Sequence, residues 1–272
     1  SMGDYRDSLE HTLACINERD GTNLTTITTS EETPWCSITP DGEFSFISSN
    51  YSDEGHIVIP QVIDGVVVTK ISDKCFYNSF TVLSMELPDT VTEIGDSAFY
   101  YCTSMRSIEI PPSVTSIGNS AFCYCITLGS ITLPEGLREL GSNAFESCVS
   151  LTEITIPEGI TIIPNSLFRG CSSLKSVNFG TSVTSISGAA FHGCAALTDI
   201  TLPQNLEIIG GGAFRECGLE SIVLPENVRE IGLSAFCGCQ NLKSVSIPVS
   251  MEVIGADAFT GCGSLTLVTY GG

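Results

Sequence analysis

The apolar positions of this chain recur in a fixed order and at a fixed interval. Pro88, Pro111, Pro134, Pro157, Gly180, Pro203, Pro225 and Pro248 stand 23 residues apart, save for one 22-residue step between Pro203 and Pro225. That step loses its residue at Cys217-Gly218-Leu219, where the other units read Cys-x-x-Leu. Behind each of these positions come two spaced aliphatics, usually a glycine, then Ala-Phe and a cysteine. From Pro88 they are Val91, Ile94, Gly95, Ala98-Phe99 and Cys102, followed by Met105, Ile108 and Ile110. A unit this short cannot bury its own apolar side, so successive units must stack and share one core.

Within each unit the segment before the proline alternates, as in Ile131-Thr132-Leu133 and Ile154-Thr155-Ile156, which predicts a strand. Proline ends that strand where its missing N–H costs least. Stacking then places the strands side by side in one parallel sheet. Ala-Phe-x-x-Cys reads as a tight helical turn that brings the chain back, with Ala and Phe in the interior. At the usual strand separation of about 4.8 Å, nine coils make a rod roughly 40 Å long.

The first of the nine is degenerate. Val68, Ile71, Cys75-Phe76, Val82, Met85 and Leu87 fit the template, but Pro60 comes five residues early. The surplus at 61–65 contains Asp64-Gly65, a turn dipeptide. Upstream, 43–48 and 56–59 alternate like short strands and are expected to form a hairpin closing the N-terminal end. Leu9, Leu13 and Ile16 have helical spacing, with Asp4 or Asp7 as N-cap and Gly21 as stop. The segment 22–39 is rich in Thr and Ser and holds Trp35. Residues 1–56 therefore read as a cap over the open core and residues 57–272 as the solenoid.

The repeat Leu-x-x-Ile-x-Ile-Pro-x-x-Val-x-x-Ile-Gly-x-x-Ala-Phe-x-x-Cys is similar to that of BspA-type leucine-rich-repeat proteins, and the resemblance covers about residues 57–270. It implies a leucine-rich-repeat solenoid, an α/β-type right-handed superhelix that is mostly β. It also implies a surface-exposed or secreted protein that adheres to host matrix or cells. The family shares a scaffold rather than a reaction, so the resemblance names no partner.

Composition narrows the function classes. Hydrophobic residues make up 42% and charged residues 15%, enough for a large core and unlike a disordered chain. No apolar run reaches the roughly 18 residues of a membrane-spanning helix, so direct membrane insertion is not expected. The net charge of −20, from 11 basic and 31 acidic residues, counts against nucleic acid as a partner. The acidity is spread along the chain and reads as a solubility coat, because no loop of calcium-binding pattern is present.

Thirteen cysteines suggest disulfides, yet Cys102, Cys125, Cys148, Cys171, Cys194, Cys217, Cys239 and Cys262 occupy one place in the repeat. Stacked neighbours about 4.8 Å apart are too distant for the near-3.8 Å Cβ separation of a disulfide, so a ladder of buried reduced thiols is expected. Cys15 and Cys36 lie outside the repeat and are candidates to pair in an oxidising compartment. The pairs Cys123/Cys125 and Cys237/Cys239 lack histidine partners at zinc spacing, so no metal or other cofactor is expected. His11, His56 and His192 stand in no catalytic motif, and His192 falls at what reads as an ordinary exposed repeat position. Gly210 of Gly210-Gly211-Gly212 is simply the glycine of the repeat. A non-catalytic protein is expected.

The outward strand positions, from Glu86 and Glu109 through Thr132 and Thr155 to Thr269, carry no aromatic anchor. A different column does. Tyr77 and Tyr100 follow the core Phe in adjacent coils, and Tyr101 and Tyr124 sit one place further on. These four tyrosines, with Glu86 and Glu109 on neighbouring strands, are the candidate site for a protein or glycan partner. The expected function is an interaction or adhesion module at the cell surface or outside the cell. The alternative is a structural spacer, or a scaffold self-associating through an uncapped C-terminal coil at Leu265, Val268 and Tyr270.

Overall fold

The computed structural model describes residues 36–46 and 55–271. The helix expected around Leu9, Leu13 and Ile16, Trp35, and the Cys15 member of the expected Cys15–Cys36 pair lie outside the described residues. What is described is a solenoid of about ten stacked coils around one apolar core.

A single column of phenylalanines marks the coils. It runs from Phe44 through Phe76, Phe99, Phe122, Phe145, Phe168, Phe191, Phe214 and Phe236 to Phe259, each ring stacked on the next at 5.0–6.1 Å. Stacked rings gain contact beyond their buried area, and a constant rise per coil keeps them in register.

Each coil has three sides. One carries the strands before the proline, such as Ser84–Glu86 and Ser107–Glu109. A second carries two-residue strands such as Glu93–Ile94 and Ser116–Ile117, which pair in parallel at an offset of 23 residues. The expected single sheet is thus two sheet faces, and the second strand is too short for alternation to reveal it. The third side is the turn that contains Ala-Phe-x-x-Cys.

No helix occurs among the described residues, so the expected helical turns are replaced by another geometry. Ser97 and Tyr101 have φ of 55° and 62°, the left-handed region, and two such residues within one turn prevent a helix. Local bonds, Ala98 N–H to Gly95 and Cys102 N–H to Phe99, alternate with bonds to the next coil, Phe99 N–H to Ala121 and Tyr101 N–H to Cys123. The accepting peptide in turn donates onward, Phe122 to Ala144 and Tyr124 to Glu146. Three head-to-tail columns of peptide groups therefore run along the turn side, and among the described residues they start at the N–H groups of Lys74, Phe76 and Asn78.

The N-terminal end corrects two further expectations. Of the expected hairpin 43–48/56–59, the described residues 43–46 do not pair with 56–59. Glu43–Phe46 joins the second sheet face beside Lys70–Ile71, and His56–Val58 joins the first beside Ser84–Glu86. They are the two strands of an extra coil, because each presents its apolar side chains to the same core as the coil above. An antiparallel strand, Cys36–Ile38, covers the edge of Glu43–Phe46. The Asp64-Gly65 turn closes a small hairpin of Val62–Ile63 and Val66–Val67, with φ of 49° and 81° at its two residues, as paired left-handed turn positions require.

Both sheet faces are interrupted. The second splits between Glu139–Leu140 and Ile162–Ile163. In regular coils the residue after the strand donates backward, as Gly141 N–H does to Ile117. Pro164 occupies that place and has no N–H to give. The first face breaks at 130–133 and 199–202. There Ile131 and Leu133 are buried as the alternation demands, but the expected Ile131-Thr132-Leu133 strand makes no ladder bonds. Neither segment contains a residue lacking a backbone donor, and nothing in the sequence explains these two gaps.

Cys102 through Cys239 of the cysteine column are buried, Cys262 is half-buried, and all are free of disulfides. They do more than fill space. Each thiol donates to the carbonyl of the core Phe one coil earlier, Cys125 to Phe99 at 3.2 Å and Cys171 to Phe145 at 3.1 Å. A small side chain with one soft donor suits a buried carbonyl that already accepts one backbone bond.

Candidate functional site

The aromatic column on the turn side assembles as a single cluster. Tyr77 and Tyr100 stack with ring centroids 4.9 Å apart and an interplanar angle of 6°. Tyr101 lies 5.9 Å from Tyr100 and 5.1 Å from Tyr124, while Phe80 meets Tyr101 edge-on at 6.2 Å. Tyr77 is 44% exposed, Phe80 52% and Tyr101 39%, and Tyr100 and Tyr124 are half-buried. Repeat spacing predicts this meeting of the four tyrosines, since side chains in register on adjacent coils must lie one coil apart.

The backbone under the cluster is unusual for such bulky residues. Tyr101 and Tyr124 have φ of 62° and 61°. The same place in other coils holds Asn78, Ser147 and Glu216 as well as Gly170, Gly193, Gly238 and Gly261, all at positive φ. A non-glycine residue there costs about 1–2 kcal/mol, and bulky ones are rare. The signal that sequence reasoning passed over is this row of glycines, which marks the position as left-handed.

The column of Tyr77 and Tyr100 is less exposed than expected. Its next member, Cys123, is buried, and burial followed by the nearby Glu146 carboxylate pushes that thiol up to about 12. Burial, with smaller contributions from Cys123 and the neighbouring tyrosines, raises the Tyr100 phenol above its ordinary value. Further along, His192 is half-buried rather than exposed, its imidazole 3.5 Å from Glu216. Arg215 bonds the same carboxylate at 3.1 Å and, with His192, holds Glu216 below the usual carboxylate range.

Glu86 and Glu109 lie on the first sheet face, not among the rings. They face each other in register on parallel strands, an arrangement of like charges that favours a cation nearby. His56 stands 3.4 Å from Glu86. On the same face, clefts of about 340 and 320 Å³ flank the interrupted 199–202 segment, lined by Leu202 and Val223 on one side and by Asn178 and Phe179 on the other. Among the described residues no group of three or more His, Cys, Asp or Glu side chains is placed to hold a metal ion. No helix among them is long and apolar enough to cross a membrane.

Comparison with known proteins gives a consistent picture. The model of the BspA type leucine-rich repeat region matches residues 69–196 and 161–272. A leucine-rich repeat protein from Bacteroides ovatus is 29% identical over 92% of this chain and 70% of its own, with a TM-score of 0.67. A leucine-rich cell surface protein from Faecalibacterium prausnitzii is 26% identical over 89% and 96% of the two chains, with a TM-score of 0.52. The leucine-rich repeat protein of T. pallidum is 26% identical over 64% and 92%, with a TM-score of 0.50. No curated protein matches the sequence.

Proposed function

The chain belongs to the BspA-type leucine-rich-repeat family, and from that premise we propose that it is a non-catalytic interaction and adhesion module whose binding site is the tyrosine cluster. Tyr77, Tyr100, Tyr101 and Tyr124 are the contact residues, and Glu86 and Glu109 bias the approaching partner toward basic groups. A location at the cell surface or outside the cell agrees with the F. prausnitzii relative being a cell surface protein. The observation that carries the reading is the gathering of the four tyrosine rings with Phe80 into one partly exposed aromatic cluster, a residue type that interfaces favour.

The test combines Tyr77→Ser, Tyr100→Ser, Tyr101→Gly and Tyr124→Gly. Since glycine relieves the left-handed strain, the thermal midpoint is expected to hold or rise. Binding to the matrix protein, cell-surface protein or glycan that a pull-down identifies should fall by about tenfold or more, the ~1.4 kcal/mol of a modest hot spot. Affinity within about twofold of the parent reduces the cluster to structural cover.

A further inference from the structure

Resting on the reading of the tyrosines as a binding site, we infer that the turn side of the first coils is a protein-contact face. The matching partner surface is apolar at its centre and basic at its margins. Three observations lead there. First, the exposed apolar surface does not stop at the tyrosines. Phe80 packs against Tyr101, and Ile126 and Val149, at the repeat place of Phe80 in later coils, are exposed as well. Aliphatic side chains offer a sugar neither a hydrogen bond nor a ring face, whereas burying them against another protein removes apolar area from water.

Second, the rings are not arranged as an open platform. Tyr100 is covered by Tyr77 and Tyr101 through stacking and meets Tyr124 at 66°, so its faces are already occupied. Ring faces used up internally leave less for the stacking by which a pyranose is gripped.

Third, charge is unequally shared among the three sides. The nine turn segments from 73–81 to 256–264 hold Lys74, Arg169 and Arg215 against Asp73, Asp96, Glu146, Glu216 and Asp257, a net of −2. Residues 57–272 as a whole hold 9 basic and 20 acidic residues, a net of −11, so the remaining surface carries most of the excess. Interface centres are depleted of charge and their rims are polar. An apolar face less acidic than its flanks, with Glu86 and Glu109 on one side and Glu93 and Glu139 on the other, is complementary to a partner with the reverse pattern. Such complementarity speeds encounter and sets orientation.

The inference is tested with a random peptide library displayed on phage and selected against the whole folded protein. Enriched peptides are synthesised and titrated by calorimetry at about 50 and 300 mM salt, either side of appreciable screening. The proteins compared are the parent, the tyrosine variant above, and Phe80→Ser/Ile126→Ser/Val149→Ser. Phe80→Ser and Val149→Ser are also measured singly, so that a misfolded triple variant does not end the test. Enriched peptides are expected to join aromatic or aliphatic residues with Lys or Arg, to bind more weakly at the higher salt, and to lose about tenfold in affinity to the triple variant. Acidic or purely polar consensus peptides, or a triple variant within about twofold of the parent, overturn the inference. If the tyrosine variant alone loses binding, the tyrosine site stands and the extended protein face falls. Tyrosine-dependent binding to a glycan array in the absence of peptide binding likewise rejects the protein partner while sparing the site. Peptide binding that neither variant weakens defeats both readings.

Discussion

Raising the pH from about 9 toward 12 is expected to unfold this protein, with a steep fall in stability rather than a gradual one. Burial pushes the Cys102 and Cys171 thiols up to about 12 from an ordinary value of 9.0, and raises Cys125, Cys148 and Cys194 well above it. In the unfolded chain these thiols ionise near their ordinary value, so above pH 9 the unfolded state binds fewer protons than the folded one. The stability they lend is complete below pH 9 and is lost as the pH climbs toward the folded values. Each thiol contributes up to ~1.4 kcal/mol per pH unit in that window, so Cys102 and Cys171 together approach about 3 kcal/mol per unit. Because the bond to the Phe carbonyl needs the thiol proton, ionisation also removes a contact between coils. Urea unfolding under reducing conditions checks this at several pH values. A free energy that is level to pH 8, falls above 9, and falls less in Cys102→Ala/Cys171→Ala is the expected result. A level profile to pH 10.5, or an unchanged slope in the variant, contradicts it.

Phe145→Ala is expected to be among the most damaging of single core changes, at ~3–5 kcal/mol. The side chain is fully buried and lies between Phe122 at 5.4 Å and Phe168 at 5.7 Å, nearly parallel to both. Its loss opens a cavity in the middle of the ring column, where coils above and below are tied to fixed spacings by their backbone columns and cannot collapse into it. Phe168→Ala should behave alike. Thr155→Ala, exposed at the end of the Glu153–Thr155 strand opposite Asn178, should cost under ~1 kcal/mol. Chemical denaturation of the three variants decides the matter, and similar losses for Phe145 and Thr155 mean that inward and outward faces are wrongly assigned.

The stacked fold, the phenylalanine column, the buried cysteine ladder and the meeting of the four tyrosines are all legible in the sequence, because each follows from register alone. Once Phe99 and Phe122 occupy the same place in successive units, their neighbourhood is decided. The turn conformation is not legible from spacing, since Ala-Phe-x-x-Cys suits a helix as well as a chain of tight turns. Only the left-handed places, filled by Gly170 and Gly193 in some coils and by Tyr101 and Tyr124 in others, separate the two. The gaps at 130–133 and 199–202 are invisible to patterning because burial of Ile131 and Leu133 is the same with or without ladder bonds. The thiol-to-carbonyl bonds are hidden for a related reason: counted as a small apolar residue, cysteine predicts burial but no direction.

The three peptide columns on the turn side have an electrical consequence. Their N–H groups all point toward the C-terminal coils, so the peptide dipoles add head to tail as they do along a helix axis, where the ends act as about half an elementary charge each. Among the described residues the positive end falls at the leading N–H groups of Asp257, Phe259 and Gly261, and the columns run back from there to the turn at Lys74, Phe76 and Asn78. Asp257 complements the positive end, while at the turn of Lys74 the charges of Asp73 and Lys74 offset each other. The tyrosines stand toward the negative end of the described columns. Along those columns the backbone field favours a cation at the tyrosine end over the Asp257 end, independently of Glu86 and Glu109.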